Sequence, residues 1–450
     1  MRRLLFTLTL LSLTSAGAAL ADDEQQLIQK GEYLARAGDC VACHTRIHGK
    51  PFAGGLAIKS PVGVIYSTNI TPDKRDGIGA YTLDEFSQAV RRGIRKDGSA
   101  LYPAMPYPSY SRLSDDDIAA LYAYFMHGVK AEAVENKEAD IPWPLSMRWP
   151  LSLWRMTFAP DAAPFDASKY PDATVARGAY LVQGLGHCGS CHTPRGFALQ
   201  EQALDETQGE AWLAGGSVID GWSVPSLRGD NDNGLGRWSV GELAHYLKTG
   251  RTDNTAAFGA MSDVVSWSTR YLTDADLHAM ARYLKTLPAG PSPAEKAAPP
   301  PAAVARAGEQ VYMDNCAMCH GRQGEGIARM FPKLRQNSAV TGPLPDSLVK
   351  IIREGATLPA DNWAPSTVSM PAYANTLSAQ QTADLVNYLR SAWGHRSAAD
   401  ITARDVEKMA AAHGSGNDNT TGWLMMEAQP YGKHWTFQME SHAEAQDPAK

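Results

Sequence analysis

The chain has 450 residues, more than one hydrophobic core usually organises, so division into about three domains is expected. With 44% apolar and 20% charged residues it is a folding sequence, and its net charge of −6 lacks the basic excess that marks nucleic-acid binding. After residue 21 no apolar run reaches the roughly 18 residues of a spanning helix. Six cysteines are too few for a disulfide scaffold of this size.

Residues 1–21 read as a secretory signal peptide. Arg2 and Arg3 form the positive region, Leu4 to Leu13 the apolar stretch, and Ala19-Leu20-Ala21 the small-residue cleavage site. A membrane anchor is disfavoured because the stretch is too short to span. The mature chain is therefore expected outside the cytoplasm, in an oxidising compartment.

Residues 22–129 form the first predicted domain. A helical segment carries Gly31-Glu32-Tyr33-Leu34 and leads to Cys40-Val41-Ala42-Cys43-His44. An amphipathic helix runs from Leu83 to Gly93. A closing helix starts at Leu113-Ser114 with Asp117 and contains Tyr124; a Ser with an acid three residues on satisfies the first free backbone donors. Between these two helices stands Met105, in Tyr102-Pro103-Ala104-Met105-Pro106. Residues 130–172 are a junction with Trp143, Met147, Trp149, Trp154, Met156 and Phe158, too apolar to stay solvated. It is expected to be ordered and packed between domains, with docking of a partner subunit or membrane surface as the alternative.

The pattern recurs over residues 173–287. Gly178-Ala179-Tyr180-Leu181 precedes Cys188-Gly189-Ser190-Cys191-His192; a helix from Val240 to Gly250, Met261, and a helix starting at Leu272-Thr273 with Asp276 and containing Tyr283 follow. Residues 288–303 are a Pro-rich, extended spacer. The third copy occupies residues 304–395, with Gly308-Glu309-Gln310-Val311, Cys316-Ala317-Met318-Cys319-His320, a helix from Pro345 to Gly355, Met370, and a helix starting at Leu377-Ser378 with Gln381 and containing Tyr388. The tail, residues 396–450, includes Gly422-Trp423-Leu424-Met425-Met426 and Gln429-Pro430-Tyr431-Gly432; it reads as an extension lying on a partner or on the chain itself.

All six cysteines fall in three copies of Cys-x-x-Cys-His, the attachment signature of c-type haem. Two thiols three residues apart reach the two vinyl groups on one porphyrin edge, and the following His faces the iron. Redox disulfides, zinc sites and structural disulfides compete for such pairs. With 12 His in the chain, a chance His after all three pairs has odds of roughly one in fifty thousand, and zinc gives no reason for it. Three covalent haem c groups are expected, on Cys40 and Cys43, Cys188 and Cys191, and Cys316 and Cys319, with His44, His192 and His320 as proximal ligands. Met105, Met261 and Met370 recur at one place in the three copies and are the candidate distal ligands, core packing being the alternative for each. Met280, inside a helix, reads as core, and Met318 sits in an attachment loop that cannot reach the distal face. Iron closed on both sides favours electron transfer over peroxidase or oxygenase chemistry.

His48 and His187 read as solvated surface, with hydrogen bonding to a propionate as the alternative. Arg46, Arg195 and Arg228 are candidate propionate partners. Asp230-Asn231-Asp232-Asn233-Gly234 has its Gly one place early for a calcium loop and lacks the closing Glu. No dinucleotide loop, Gly-x-Ser-x-Gly elbow or His-Glu-x-x-His is present, so no catalytic residue is assigned.

The order of elements resembles the all-α class I cytochrome c domain, three in tandem. Gly31 to Cys40, Tyr66-Ser67-Thr68-Asn69-Ile70-Thr71-Pro72-Asp73, Tyr102 to Pro108, Trp143 to Leu151 and Gly184 to Cys188 are similar to the three-haem cytochrome c subunit of bacterial membrane-bound dehydrogenases, both the quinoprotein alcohol dehydrogenase and the flavin-dependent gluconate 2-dehydrogenase. The resemblance implies a partner large subunit holding pyrroloquinoline quinone or FAD, with a small third subunit also possible in such complexes. It implies ubiquinone as electron acceptor and peripheral contact with the periplasmic face of the inner membrane. In that reading the chain is the non-catalytic electron-transfer subunit. The competing reading is an independent periplasmic multihaem carrier.

Overall fold

The computed structural model describes residues 22–290, 297–358 and 368–414. Residues 1–21, read above as a signal peptide, part of the Pro-rich spacer, residues 359–367 and the tail from residue 415, with Trp423 and the Gln429 to Gly432 stretch, lie outside the described residues. The first unit contains helices α1 (22–37), α2 (Leu83–Arg92) and α3 (Asp115–Ala123), the last continuing into one wider turn, Tyr124–Gly128. Helix α4 (Trp149–Phe158) lies in the junction. The second unit holds α5 (Ala173–Gln183), α6 (Val240–Thr249), α7 (Ala260–Trp267) and α8 (Asp274–Leu284). The third holds α9 (Ala302–Asn315), α10 (Asp346–Glu354), α11 (Ala379–Ser391) and α12 (Ala403–Gly414).

The caps form where the sequence places them. Ser114, Thr273 and Ser378 accept from the amides of Asp117, Asp276 and Gln381, and Gln381 returns the bond to complete a capping box. A pair of helices in each unit, α1 and α3, α5 and α8, α9 and α11, crosses at a glycine. A Cβ on Gly31 would lie 1.9 Å from the Ala120 carbonyl oxygen and 2.6 Å from Tyr124 Cβ; Gly178 meets Ala279 and Tyr283 in the same way, and Gly308 meets Asp384 and Tyr388. The recurring Gly and Tyr are thus the two sides of one close backbone crossing. Gly178→Val is expected to lower stability by about 3 kcal/mol through overpacking, read as a shift in the denaturant midpoint. An unchanged midpoint would mean that the crossing relaxes freely.

To the helices the structure adds three two-stranded antiparallel ladders, which modifies the all-α expectation. Strands β1 (Ala57–Ser60) and β2 (Gly63–Tyr66) pair Ala57 with Tyr66, and β3 (Val218–Ile219) and β4 (Trp222–Ser223) pair Val218 with Ser223. Asp220 and Gly221, at φ 49° and 78°, form the tight turn of the second ladder. Strands β5 (Ala356–Leu358) and β6 (Val368–Met370) belong to the third unit. None of these strands exceeds four residues, too short for alternation to announce them.

The first two units share one continuous apolar core, from Leu34 through Leu121 to Leu181 and Leu284, whereas the third has its own around Tyr312, Leu385 and Val406. Across the shared seam the bonds are reciprocal. The Tyr33 hydroxyl donates to Asp276 at 2.6 Å, and the Tyr180 hydroxyl donates to Asp117 at 2.6 Å. Each carboxylate also meets the cation beside its own unit's crossing glycine: Lys30 to Asp117 at 2.7 Å and Arg177 to Asp276 at 2.8 Å. The third unit has Ala307, Gln310 and Gln381 at the matching positions. It docks instead through polar contacts on the second: the Ser347 hydroxyl accepts from the Ser223 amide at 2.8 Å, Lys350 donates to Asp220 O at 3.0 Å, and Arg329 pairs with Asp253 at 3.0 Å.

Burial opposes ionisation of Asp276, but the Arg177 fork and the Tyr33 hydroxyl outweigh it and hold the carboxyl below its ordinary value. A depressed folded-state pKa contributes stability that is complete above the ordinary value near 4 and is lost as pH falls below it. Hydrogen exchange at the α1–α8 seam is therefore expected to quicken on acidification below about pH 4, and less so in Asp276→Asn. Equal acid sensitivity in both proteins would remove Asp276 from that role.

The junction departs from the expectation of packing. Trp154 and Phe158 turn inward, Trp154 donating its indole N–H to Ala198 O at 2.8 Å and standing edge-on to Tyr107. Trp143, Met147, Trp149 and Met156 are exposed. The physical reason is position: α4 lies on the outside of the molecule, with neighbours on one side only. Of the extension, α12 packs Val406 into the third core.

Candidate haem sites

Each Cys-x-x-Cys-His folds as a single helical turn, Cys40–Cys43, Gly189–His192 and Ala317–His320, directly after the first helix of its unit. The His amide donates to the carbonyl of the first Cys at 2.9 Å in all three. In the first two units the residue before the first Cys, Asp39 or His187, takes a left-handed conformation at φ 50° or 34°. Asp and His are among the residues that tolerate it, and it reverses the chain after the helix.

The three imidazoles are held alike. Nδ1 of His44 donates to Thr68 O at 2.7 Å, that of His192 to Pro225 O at 2.8 Å, and that of His320 to Pro332 O at 2.9 Å. A carbonyl only accepts, so the proton sits on Nδ1 and the Nε2 lone pair faces the site. Burial holds each ring below the ordinary histidine range, so each is neutral at pH 7. Sequence reasoning missed the three carbonyls, because a backbone oxygen carries no residue-type signal.

No disulfide joins any of the six cysteines. Burial pushes Cys40 and Cys188 up to about 12 and Cys316 to about 11. Redox-active pairs need a stabilised thiolate, and these surroundings disfavour one. Among the described residues no group of three or more His, Cys, Asp and Glu is placed to hold a metal ion.

In the second unit Cys188, Cys191, His192 and Met261 line one apolar cavity of about 240 Å³. Protein interiors tolerate few voids larger than a water, so a space this size is shaped for a group. Met261, at the start of α7, and Met280, on α8, both line it. Its walls also include Ala37 and Asp39 of the first unit and Pro343 and Leu344 of the third. These residues fit a covalently tethered apolar macrocycle: two thiols on one turn, an oriented neutral imidazole, a thioether and greasy walls. Met105 packs against the shared core and Met370, on β6, against the third. Met318 is exposed.

The first two sites adjoin. Asp39, beside Cys40, lines the cavity of the second site, and the Tyr110 hydroxyl donates to Gly38 O at 3.0 Å. His187, expected on the surface, is half-buried in that seam, its ring 5.8 Å from Tyr110. His48 is exposed, as is Arg46. Arg195 donates to Leu199 O at 3.1 Å. Arg228 is buried, donates to Trp212 O at 2.9 Å, and keeps an Nε with no partner among the described residues.

The chain is 54% identical over 452 residues to the cytochrome c subunit of alcohol dehydrogenase (quinone) of Gluconacetobacter polyoxogenes, covering 97% of this chain and 96% of that one. It is 51% identical to the gluconate 2-dehydrogenase cytochrome c subunit of Pantoea cypripedii, over 88% and 92% of the two chains. It is 38% identical to the fructose dehydrogenase cytochrome subunit of Gluconobacter japonicus, over 85% and 82%. The cytochrome c family pattern matches residues 28–128, 175–288 and 305–393, one stretch for each oriented histidine, and the chain belongs to the cytochrome c family.

Proposed function

We propose that the chain is the electron-transfer subunit of a quinone-dependent dehydrogenase complex at the periplasmic face of the inner membrane. It would carry three haem c groups in three tandem class I cytochrome c domains. Cys40 and Cys43, Cys188 and Cys191, and Cys316 and Cys319 hold them covalently. His44, His192 and His320 supply proximal nitrogens, and Met105, Met261 and Met370 distal sulfurs. The observation that carries this reading is the threefold recurrence of an Nδ1-pinned histidine directly after a Cys-x-x-Cys turn. Haem, when bound, supplies one-electron chemistry. The chain fixes each imidazole, keeps it neutral and excludes water with apolar walls. Electrons enter from a large subunit holding pyrroloquinoline quinone or FAD and leave to ubiquinone.

Relatives named as dehydrogenase subunits, aligned over nearly their whole length, favour a dedicated partner over an independent carrier. No helix among the described residues is long and apolar enough to cross a membrane, in keeping with peripheral contact. The test is purification of the native complex. Three haem equivalents by pyridine haemochrome, reduction of all three by the partner's substrate, and reoxidation by a ubiquinone analogue are expected. Fewer than three equivalents, or no copurifying dehydrogenase, would overturn the proposal.

A further inference from the structure

Helix α4 presents an unusual surface. Trp149, Leu153 and Met156, spaced i, i+4 and i+7, share one face and are 67%, 59% and 73% exposed. Trp143 at 80% extends the patch on the N-terminal side. Phe197, at 93%, joins it from the attachment loop of the second unit, its ring 6.2 Å from Phe158. The platform is anchored by Trp154, wedged between Tyr107 and the Ala198 carbonyl, so both units hold it in place.

Between Asp140 and Asp161 the stretch carries only basic groups. Residues 141–160 contain Arg148 and Arg155 and no acid, in a chain whose net charge is −6. Neither arginine lies within ion-pair distance of a carboxylate among the described residues; Arg148 rests over the Tyr102 ring at 4.8 Å. Large apolar side chains exposed together in this way mark an interaction site. Tryptophans beside Leu and Met, with unpaired arginines, match the chemistry of an anionic bilayer interface. There indoles sit at headgroup level, apolar side chains enter the acyl boundary and guanidiniums meet lipid phosphates.

We propose that the α4 face, with Trp143 and Phe197, inserts into the headgroup region of an anionic membrane and holds the second unit against it. This rests on the membrane-associated complex proposed above and assigns it a contact surface. Arg148 and Arg155 give the approach its charge dependence, and Trp149, Leu153 and Met156 give the retention.

The test uses the full-length haem-loaded chain and the triple variant Trp149→Ser, Leu153→Ser, Met156→Ser. All three side chains are exposed, so folding and haem content are expected to be kept, as the visible spectrum will show. Co-sedimentation is measured with vesicles of phosphatidylglycerol and phosphatidylethanolamine, and with phosphatidylcholine alone. Wild-type protein is expected to prefer the anionic vesicles, less so at high salt, and the variant to lose roughly tenfold or more in partitioning. Brominated acyl chains should quench wild-type tryptophan fluorescence more than that of the variant. Equal partitioning of the two proteins overturns the proposal. So does a variant that binds vesicles normally but no longer assembles with the dehydrogenase, which would make the face a subunit interface. Electron uptake from the reduced dehydrogenase is read separately. If uptake is intact and vesicle binding is insensitive to the substitutions, only this inference falls. If uptake is absent, the proposed function falls whatever the vesicles show.

Discussion

A chain with Cys188→Ala and Cys191→Ala is expected to retain two covalent haems and to lose the folded state of its second unit. The argument is volumetric. The cavity these cysteines line measures about 240 Å³. At about 24 cal/mol per Å³, leaving it unfilled costs about 6 kcal/mol, comparable with the whole stability of a domain at about 5–15 kcal/mol. The effect is also expected to spread. The first unit shares its core with the second, and residues from all three units form the cavity wall. Pyridine haemochrome should give two equivalents, the thermal midpoint should fall by well over 10 °C, and limited proteolysis should open both the first and second units. A variant that binds two haems yet melts like wild type would show that the apolar walls collapse onto one another, and the volume argument would be lost.

Met261→Ala is expected to lower the potential of one haem by on the order of 0.1 V, a fraction of the about 0.8 V range that axial ligands span. A thioether stabilises ferrous iron, and its removal opens a coordination position. Rapid carbon monoxide binding at one haem of the ferrous variant is the second readout. The companion is Met280→Ala. Met280 lines the same cavity but is buried in the α5–α8 core. It is expected to cost about 2–4 kcal/mol of stability as a core truncation, with the potential unmoved. Redox titration of the two proteins separates the roles, and an exchange of their outcomes would transfer the distal position from α7 to α8.

What the sequence made legible was short-range. The caps at Ser114, Thr273 and Ser378 depend on residues three apart, and the attachment turns on residues three and four apart. Gly31, Gly178 and Gly308 were visible as repeats because a close helix crossing admits no side chain. The carbonyls of Thr68, Pro225 and Pro332 were not, since any residue supplies that oxygen. Nor was the bond from Tyr33 to Asp276, which joins residues 243 apart. The apolar content of the junction could be read directly. Its exposure could not, because that is set by which neighbours α4 lacks.

The crossed tyrosines have an evolutionary reading. Tyr33 reaching Asp276 while Tyr180 reaches Asp117 is an isologous contact, the kind a homodimer makes about a two-fold axis, here written into one polypeptide. A duplicated gene whose ancestral product paired with itself would leave this imprint. The remaining copy, with Gln310 and Gln381 where the pair has Tyr and Asp, lacks both groups of that contact and is joined by a different surface.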